Sequence, residues 1–385
     1  VNGTGYFVNT TAGAITVNLP AGSAGNIVSL ADYAATWQTY NVTVTPNGTE
    51  KIGSLNENAT LNTEGQSVTF VYVDSTQGWV NTMDSTSNVR GQPPFVAATG
   101  GTITTVCTDY KVHTFTGPGT FTVTYAGTPA GSDTVDYLVV AGGGGGGGAI
   151  GGGSGAGGGG AGGFRESSGV ASGCYSASPL GACVSALSIS ATGYPITVGS
   201  GGTGVGQPGL APNGSNSIFS TITSAGGGGS GSKCVQSSAG GSGAGGAANI
   251  YQTGAAGNTP PTSPPQGQPG GPTGSTDNGG GGGGAGASGG SGSPGSGAAG
   301  GNGVTTSINA SSVTRAGGGG GGAYTGGGAA GGSGGGGAGS ADVPSTPGTV
   351  NTGGGAGGAG SGPGQPTVSG ANGGSGIVII RYKFQ

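Results

Sequence analysis

The residues that could do chemistry are few and scattered. His113 is the only histidine of the chain and follows Cys107 and Asp109 along one short stretch. A thiol nucleophile needs an imidazole base within hydrogen-bond reach and an acid to orient it, which these three could in principle supply. A single histidine in a strand is expected instead at the surface, and the chain is read as not an enzyme. The four cysteines, Cys107, Cys174, Cys183 and Cys234, match no zinc-ligand spacing. Cys174 and Cys183 bracket a Tyr-Ser-Ala-Ser-Pro-Leu-Gly-Ala loop, where a disulfide would staple a protruding excursion. The alternative is a set of buried thiols behaving as small apolar side chains. The acidic residues are isolated, so neither a paired-carboxylate site nor a calcium loop is indicated. Several GxGxxG patterns occur, but none lies between a strand and a helix with an acid further on, and in this composition they carry no information. No metal and no cofactor is expected. Asn-x-Ser/Thr sequons at Asn2, Asn9, Asn41, Asn47, Asn58, Asn213 and Asn309 are what a chain rich in Asn, Ser and Thr produces by composition.

The elements around these residues are unusual. Of 385 residues 104 are glycine, and only 5% are charged, far from the roughly 7% glycine and 25% charge of an ordinary globular domain. A formal charge of −4 with 31% hydrophobic residues does not fit a solvated, disordered tail. Eight basic residues in all leave no positive patch for nucleic acid. No run of apolar residues is long enough for a transmembrane helix, and no charged-then-apolar leader opens the chain. It begins directly in what reads as a strand, which leaves room for sequence upstream of Val1.

Residues 1–83 are expected to form an all-β, sandwich-like module. Short apolar segments such as Tyr6-Phe7-Val8, Ile15-Thr16-Val17, Val42-Thr43-Val44 and Val68-Thr69-Phe70-Val71 lie between turns rich in Pro, Asn and Gly. Trp37 and Trp79 are the large side chains of its core. Residues 84–100 read as a connector. The alternating runs 111–116 and 120–125, joined by Gly117-Pro118-Gly119, predict a hairpin. Val135–Val140 then enters a glycine run, and Ile377–Phe384 leaves one. Two strongly apolar strands thus bracket the glycine-rich part and are expected to pair in one sheet, so that 101–141 plus 373–385 form a β base.

Residues 142–372 consist of glycine tracts separated by ordinary stretches. Tracts joined by turns suggest antiparallel packing. Glycine can adopt an extended threefold conformation rising about 3.1 Å per residue without internal hydrogen bonds. In a bundle of such chains the neighbours supply the partners that buried N–H and C=O groups require. Close approach of backbones excludes Cβ, which explains the glycine and places alanine and serine at the periphery. Ordering a residue costs about 1–2 kcal/mol and each hydrogen bond returns roughly 0.5–1.5, so the bundle must be dense and cooperative. The fold class expected is all-β: a sandwich-like module, then a β base carrying a polyglycine-II-type bundle. Collagen is excluded because no Gly-X-Y period exists. Phe164, Tyr175, Tyr194, Phe219, Tyr251 and Tyr324 fall in or beside the turns between tracts. Phe164, Tyr175, Phe219, Tyr251 and Tyr324 are therefore the candidate recognition residues, since loops on a rigid scaffold carry binding and tyrosine gives contact area at low entropic cost. Some of them could equally cap the bundle.

Asp136-Tyr137-Leu138-Val139-Val140-Ala141-Gly142, Gly162-Gly163-Phe164-Arg165-Glu166, Tyr194-Pro195-Ile196-Thr197-Val198-Gly199 and Gly376-Ile377-Val378-Ile379-Ile380-Arg381-Tyr382 together resemble the glycine-rich domain of tail-fibre-like adhesin proteins of marine bacteriophages. Residues 6–83 resemble the β module that often precedes it. The resemblance implies an extracellular virion fibre subunit that contacts a host cell-surface glycan or outer-membrane protein and docks on other virion fibre or tail proteins. It also implies a homotrimer, by analogy with fibres, and transfers no receptor-contact residue. A filament or fibre subunit without a receptor is the alternative, favoured by an unpaired apolar strand. An ice-binding protein would need flat rows of Thr or Ala, which the irregular tracts do not supply.

Overall fold

A computed structural model describes residues 2–385 except 86–94, 130, 150–152, 174, 182, 207, 250–252 and 275–276. The chain divides into two compact units, Val1–Gln92 and Pro93–Gln385. Strands and extended tracts make up nearly all of it, and among the described residues the only helical element is one short turn at Pro179–Gly181.

In the first unit, β1 (Thr4–Val8), β2 (Ile15–Asn18), β3 (Ile27–Asp32), β4 (Val42–Thr45), β5 (Ala59–Leu61), β6 (Ser67–Tyr72) and β7 (Trp79–Ser85) form two sheets, ordered β1-β3-β6-β7 and β2-β4-β5. Side chains alternate across a strand, so Val28 and Leu30 of β3, Val42 and Val44 of β4, and Val68, Phe70 and Tyr72 of β6 turn into one shared core. Trp37 and Trp79 complete it, both fully buried. Each indole finds the acceptor that burial demands: Trp37 Nε1 donates to the Val8 carbonyl and Trp79 Nε1 to Glu50 Oε2, both at 3.2 Å. Asp32, at the end of β3, ties the following loop by accepting the N–H groups of Ala34, Trp37 and Gly65. Burial by itself raises its pKa, but the backbone donors outweigh it and hold the carboxyl below its ordinary value.

The second unit contains β8 (Val96–Thr99), β9 (Thr102–Val106), β10 (Tyr110–Phe115), β11 (Gly119–Ala126) and β12 (Thr134–Val140). Further along are β13 (Ser154–Gly155), β14 (Phe164–Glu166), β15 (Leu187–Ser188), β16 (Gly193–Thr197), β17 (Ser217–Phe219) and β18 (Ile222–Ser224). The last are β19 (Val304–Thr306), β20 (Val313–Arg315), β21 (Gly360–Ser361) and β22 (Ile377–Lys383). One sheet runs β14-β12-β22-β10-β9 with β15 on β12, and a second runs β18-β17-β16-β11-β8. The two bracketing strands pair antiparallel, with Asp136 opposite Arg381 and Val140 opposite Ile377. Both are buried on two faces, which is why their sequences run apolar rather than alternating. Val135, Tyr137 and Val139 with Val378, Ile380 and Tyr382 pack toward β11, β16 and β17. Leu138, Val140, Ile377 and Ile379 pack on the other side against Phe164, Ile308 and the alanines Ala161, Ala285 and Ala316.

Two expectations are corrected here. The runs on either side of Gly117-Pro118-Gly119 do not pair with each other. β10 lies between β9 and β22, whereas β11 lies between β8 and β16. The Pro-Gly turn is a corner that carries the chain between sheets, since alternation specifies a half-buried strand but not its partner. The hairpin is β9–β10, turned by Cys107 and Thr108 at φ 47° and 66°. The stretch 84–100 also carries strand structure at both ends, in β7 and β8.

In the glycine-rich part, successive N–H groups point to three different neighbours in turn. Gly142 and Gly145 donate to Ser215 and Pro212, while Gly143, Gly146 and Ala149 donate to Gly374, Ala371 and Val368, and Gly144 donates to Gly160. The same period of three recurs in the next tract. Gly155, Gly158 and Ala161 reach Asp277, Gly280 and Gly283; Ala156, Gly159 and Gly162 reach Ala359, Ala356 and Gly353; Gly160 and Gly163 reach Gly228 and Ala225. A strand would alternate between two sides. Neighbours are mixed rather than antiparallel only: partner numbers fall along 359–353 and 228–225 but rise along 277–283. A chain that turns its peptide groups in three directions meets partners of either polarity.

The absence of side chains follows from the spacing. A Cβ on Gly143 would lie 2.0 Å from the Gly354 oxygen, and one on Gly158 2.1 Å from the Gly319 oxygen. Alanine and serine are nonetheless not confined to the periphery. Ala156, Ala323, Ala356, Ala359, Ser230 and Ser242 are fully buried. Ser230 Oγ donates to the Gly157 carbonyl at 2.5 Å, so certain positions admit a methyl group or a hydroxyl that bonds a neighbouring backbone.

Candidate recognition surface

His113 is buried rather than on the surface. Its Nδ1 lies 2.7 Å from the Gly100 carbonyl and its Nε2 3.0 Å from the Tyr382 hydroxyl. The carbonyl can only accept, so Nδ1 carries the proton and Nε2 accepts from Tyr382. The ring stacks edge-on against Phe121 at 5.0 Å. Burial lowers the imidazole pKa, with Lys111 adding to the effect and the Gly100 bond opposing it. Neither nitrogen is directed at Cys107 or Asp109. Cys107 instead takes a long contact, 3.9 Å, from Arg381 Nη2. Among the described residues no group of three His, Cys, Asp or Glu side chains is placed to hold a metal, and no helix is long and apolar enough to cross a membrane.

The loop aromatics divide. Phe164, in β14, packs with Leu138, Val140 and Ile379 at 1% exposure, and Phe219, in β17, is fully buried among Phe121, Tyr137 and Tyr194. Neither can meet a receptor. Both stand beside glycine tracts in sequence, yet both lie on strands of the base, a placement that only the sheet pairing reveals. Tyr175 lies with its ring 5.0 Å from the Arg381 guanidinium. Burial, then the charges of Asp136 and Glu166, push its phenol pKa up. Tyr324 is half-buried over Gly153, where an added Cβ would sit 2.3 Å from its ring. Tyr251 lies outside the described residues. The Cys174–Cys183 pairing also lies outside them because Cys174 does. Cys183 is exposed, at φ 61°.

Behind Tyr175 is a polar junction that composition does not announce. Asp136 accepts the Ser167 hydroxyl at 2.7 Å and the Gly169 and Ser172 N–H groups, fastening the loop after β14. Glu166 accepts the Ser178 N–H at 2.8 Å and the Thr306 hydroxyl. Its pKa is raised, chiefly by burial. Arg381, fully buried, donates to the carbonyls of Ile308 and Gly173 and is flanked by Tyr110 and Tyr175. Arg315 is buried with a lowered pKa, the cost of desolvation being larger than the support from Glu166. These groups hold Ser167–Gly173, Ser178 and Thr306–Ile308 against the base. The two-residue period of side-chain direction in a strand, with Asp136 opposite Arg381, puts both on the same face, away from Tyr137 and Ile380.

What remains exposed between tracts is mostly small and polar. The proline-rich stretch is the most firmly fixed part of it. Asn258 Oδ1 accepts from the Thr262 N–H, the Thr262 hydroxyl and the Gln266 N–H. Gln266 Nε2 donates to the Pro260 carbonyl while its Oε1 accepts the Ala225 N–H, so buried Gln266 anchors the loop to the bundle. Thr259, Pro260, Pro261, Ser263 and Pro265 are exposed. Among the described residues, exposed aromatics are concentrated elsewhere, in the first unit: Tyr6, Phe7, Tyr33 and Tyr40, against Tyr125 in the second.

The fold is therefore that of an all-β protein in which a sheet base frames a bundle of backbone-bonded glycine tracts. A family described as a glycine-rich domain matches residues 114–383, well over half of the 385 residues, and the chain belongs to that family. No curated protein matches the chain.

Proposed function

We propose that this protein is a virion tail-fibre or adhesin subunit that attaches to a host cell surface through loops held on a rigid glycine bundle. The observation that carries the reading is the loop 259–265: uncharged, exposed at Thr259, Pro260, Pro261, Ser263 and Pro265, and fixed from beneath by Asn258 and Gln266. A loop ordered before binding loses little entropy on contact. The bundle interior is taken up by backbone hydrogen bonds, so its surface loops are the part left to vary. The three-residue repeat of those bonds supports reading the tracts as polyglycine-II helices, which have three residues per turn. The partner in this reading is a neutral surface glycan or an outer-membrane protein.

The test is adsorption of the purified chain to candidate host cells, compared with a variant in which 259–265 is replaced by a Gly-Ser stretch of equal length. Binding that falls at least tenfold in the variant supports attachment through this loop. Absence of adsorption across hosts and glycans would sink the adhesin reading. A fibre subunit without a receptor is the second reading, and the open strand edge of the first unit favours it.

A further inference from the structure

The two-sheet module of the first unit is closed on one side and open on the other. On the closed side, β7 carries Asp84, its pairing with β6 shifts register between Thr69 and Phe70, and Trp79 bridges to Ile52. β5, the edge of the second sheet on the path β2-β4-β5, has only three residues. Charges, bulges and short strands are the devices by which sheet edges avoid pairing with other chains. Of the other two edges, β1 has none of them, and β2, four residues long, has neither charge nor bulge. Neither Thr4-Gly5-Tyr6-Phe7-Val8 nor Ile15-Thr16-Val17-Asn18 contains a charge or a proline, and the first charged residue of the chain is Asp32. Between them lies a cleft of about 450 Å³ lined by Tyr6, Phe7, Val8, Ile15, Val17 and Val28. Phe7 is 78% exposed.

We propose that β1 pairs antiparallel with β1 of a second copy of this chain about a twofold axis at Tyr6, joining two four-stranded sheets into one. The strand is self-complementary in this register. Tyr6 meets Tyr6 of the other copy, Thr4 meets Val8, and Gly5 meets Phe7. Cross-strand aromatic and β-branched pairs stabilise a sheet, and an aromatic ring lying over a strand glycine covers backbone that glycine leaves bare. A twofold contact of this kind uses the same patch on both partners. The charges fit as well. Residues 1–85 hold six carboxylates and one lysine, six minus one leaving five negative charges, and none of them is on β1. Two modules therefore repel overall, and least where this uncharged edge meets its copy. A five-residue strand pair buries less than the roughly 1,200 Å² of a stable interface, so the association is reversible and strengthens as salt screens the repulsion. This pairing does not depend on the attachment reading, and it differs from the threefold association that fibre analogy implies.

Sedimentation equilibrium of the full chain, at about 10–500 µM, is the test, since weak pairings have dissociation constants in the micromolar to millimolar range. The expected result is a monomer–dimer equilibrium that tightens with salt and weakens at least tenfold in Phe7→Asp. Met83→Asp, on the protected edge and 69% exposed, is expected to leave it unchanged. Amide exchange of 4–8 should slow as concentration rises. Both substituted positions are exposed, and unchanged tryptophan fluorescence verifies that the module stays folded. A monomer throughout the range, a trimer, or equal effects of the two variants would overturn the proposal. So would binding of a neutral saccharide in the cleft that Phe7→Asp abolishes without any change in mass.

Discussion

Substituting alanine for Gly144 tests whether the bundle is held by backbone contact. A Cβ on Gly144 would lie 2.0 Å from the Gly228 oxygen and 2.4 Å from its carbon, where ordinary contact begins near 3.4 Å. The neighbouring tract must therefore retreat by about 1.4 Å, the difference between those two distances. Gly228 is itself committed, accepting from Gly160 N–H and donating to Ser242, both at 2.9 Å. Overpacking costs about 1–3 kcal/mol, and each buried polar group left without a partner about 1–3 kcal/mol more. Alanine recovers about 0.4–1 kcal/mol by restricting the unfolded chain. With one group orphaned, the net expectation is a loss of about 1–6 kcal/mol, to be set against the roughly 5–15 kcal/mol of a typical domain. Gly327 is the control: it is exposed, with nothing within 4 Å of a built Cβ and no positive φ, so Gly327→Ala should be neutral or stabilising by up to about 1 kcal/mol. Urea unfolding followed by amide exchange of the second unit separates the two. If Gly144→Ala and Gly327→Ala differ by less than about 1 kcal/mol, close backbone packing is not what requires glycine here.

Other expectations follow from single sites. His113 has a depressed pKa in the fold, so the unfolded chain takes up the proton first. Its contribution is complete above about pH 6.5, the ordinary histidine value, and is lost as pH falls toward the folded value; a urea midpoint for the second unit no more pH-dependent than that of His113→Gln between pH 7 and 5 would contradict this. Thr108 sits at φ 66° in the β9–β10 turn, a conformation costly for a β-branched residue, so Thr108→Gly should raise stability by about 1 kcal/mol in the same assay. Both tryptophans lie in the first unit, so fluorescence reports that unit alone. Trp37→Phe, which deletes the bond to Val8 and part of a buried ring, should lower the stability read from Trp79 by about 1–3 kcal/mol. Amides of 156–162 should be among the slowest to exchange in the second unit, and exchange as fast as in an unfolded peptide would mean that the tracts are not bonded.

Local chemistry made several features legible in advance. Apolar runs flanking glycine predicted the β12–β22 pair, because a strand buried on both faces has no polar alternation to show. The two tryptophans predicted the core of the first unit, being too large to place elsewhere in so small a module. The need for glycine followed from steric exclusion of Cβ. Partners were not legible. The 111–116 and 120–125 runs alternate equally well as a hairpin or as strands of two facing sheets, and only competition from β22 and β8 assigned them. Phe164, Phe219 and His113 looked like surface residues because glycine and turn residues surround them in sequence, while the base around them is assembled from segments far away along the chain. Tract polarity could not be read either, since a chain that directs its peptide groups three ways accepts neighbours running in both directions. Composition determined that this protein would be built from close-packed backbone. Tertiary structure decided which backbone meets which, because hydrogen bonds between glycines carry no side-chain information to specify a partner.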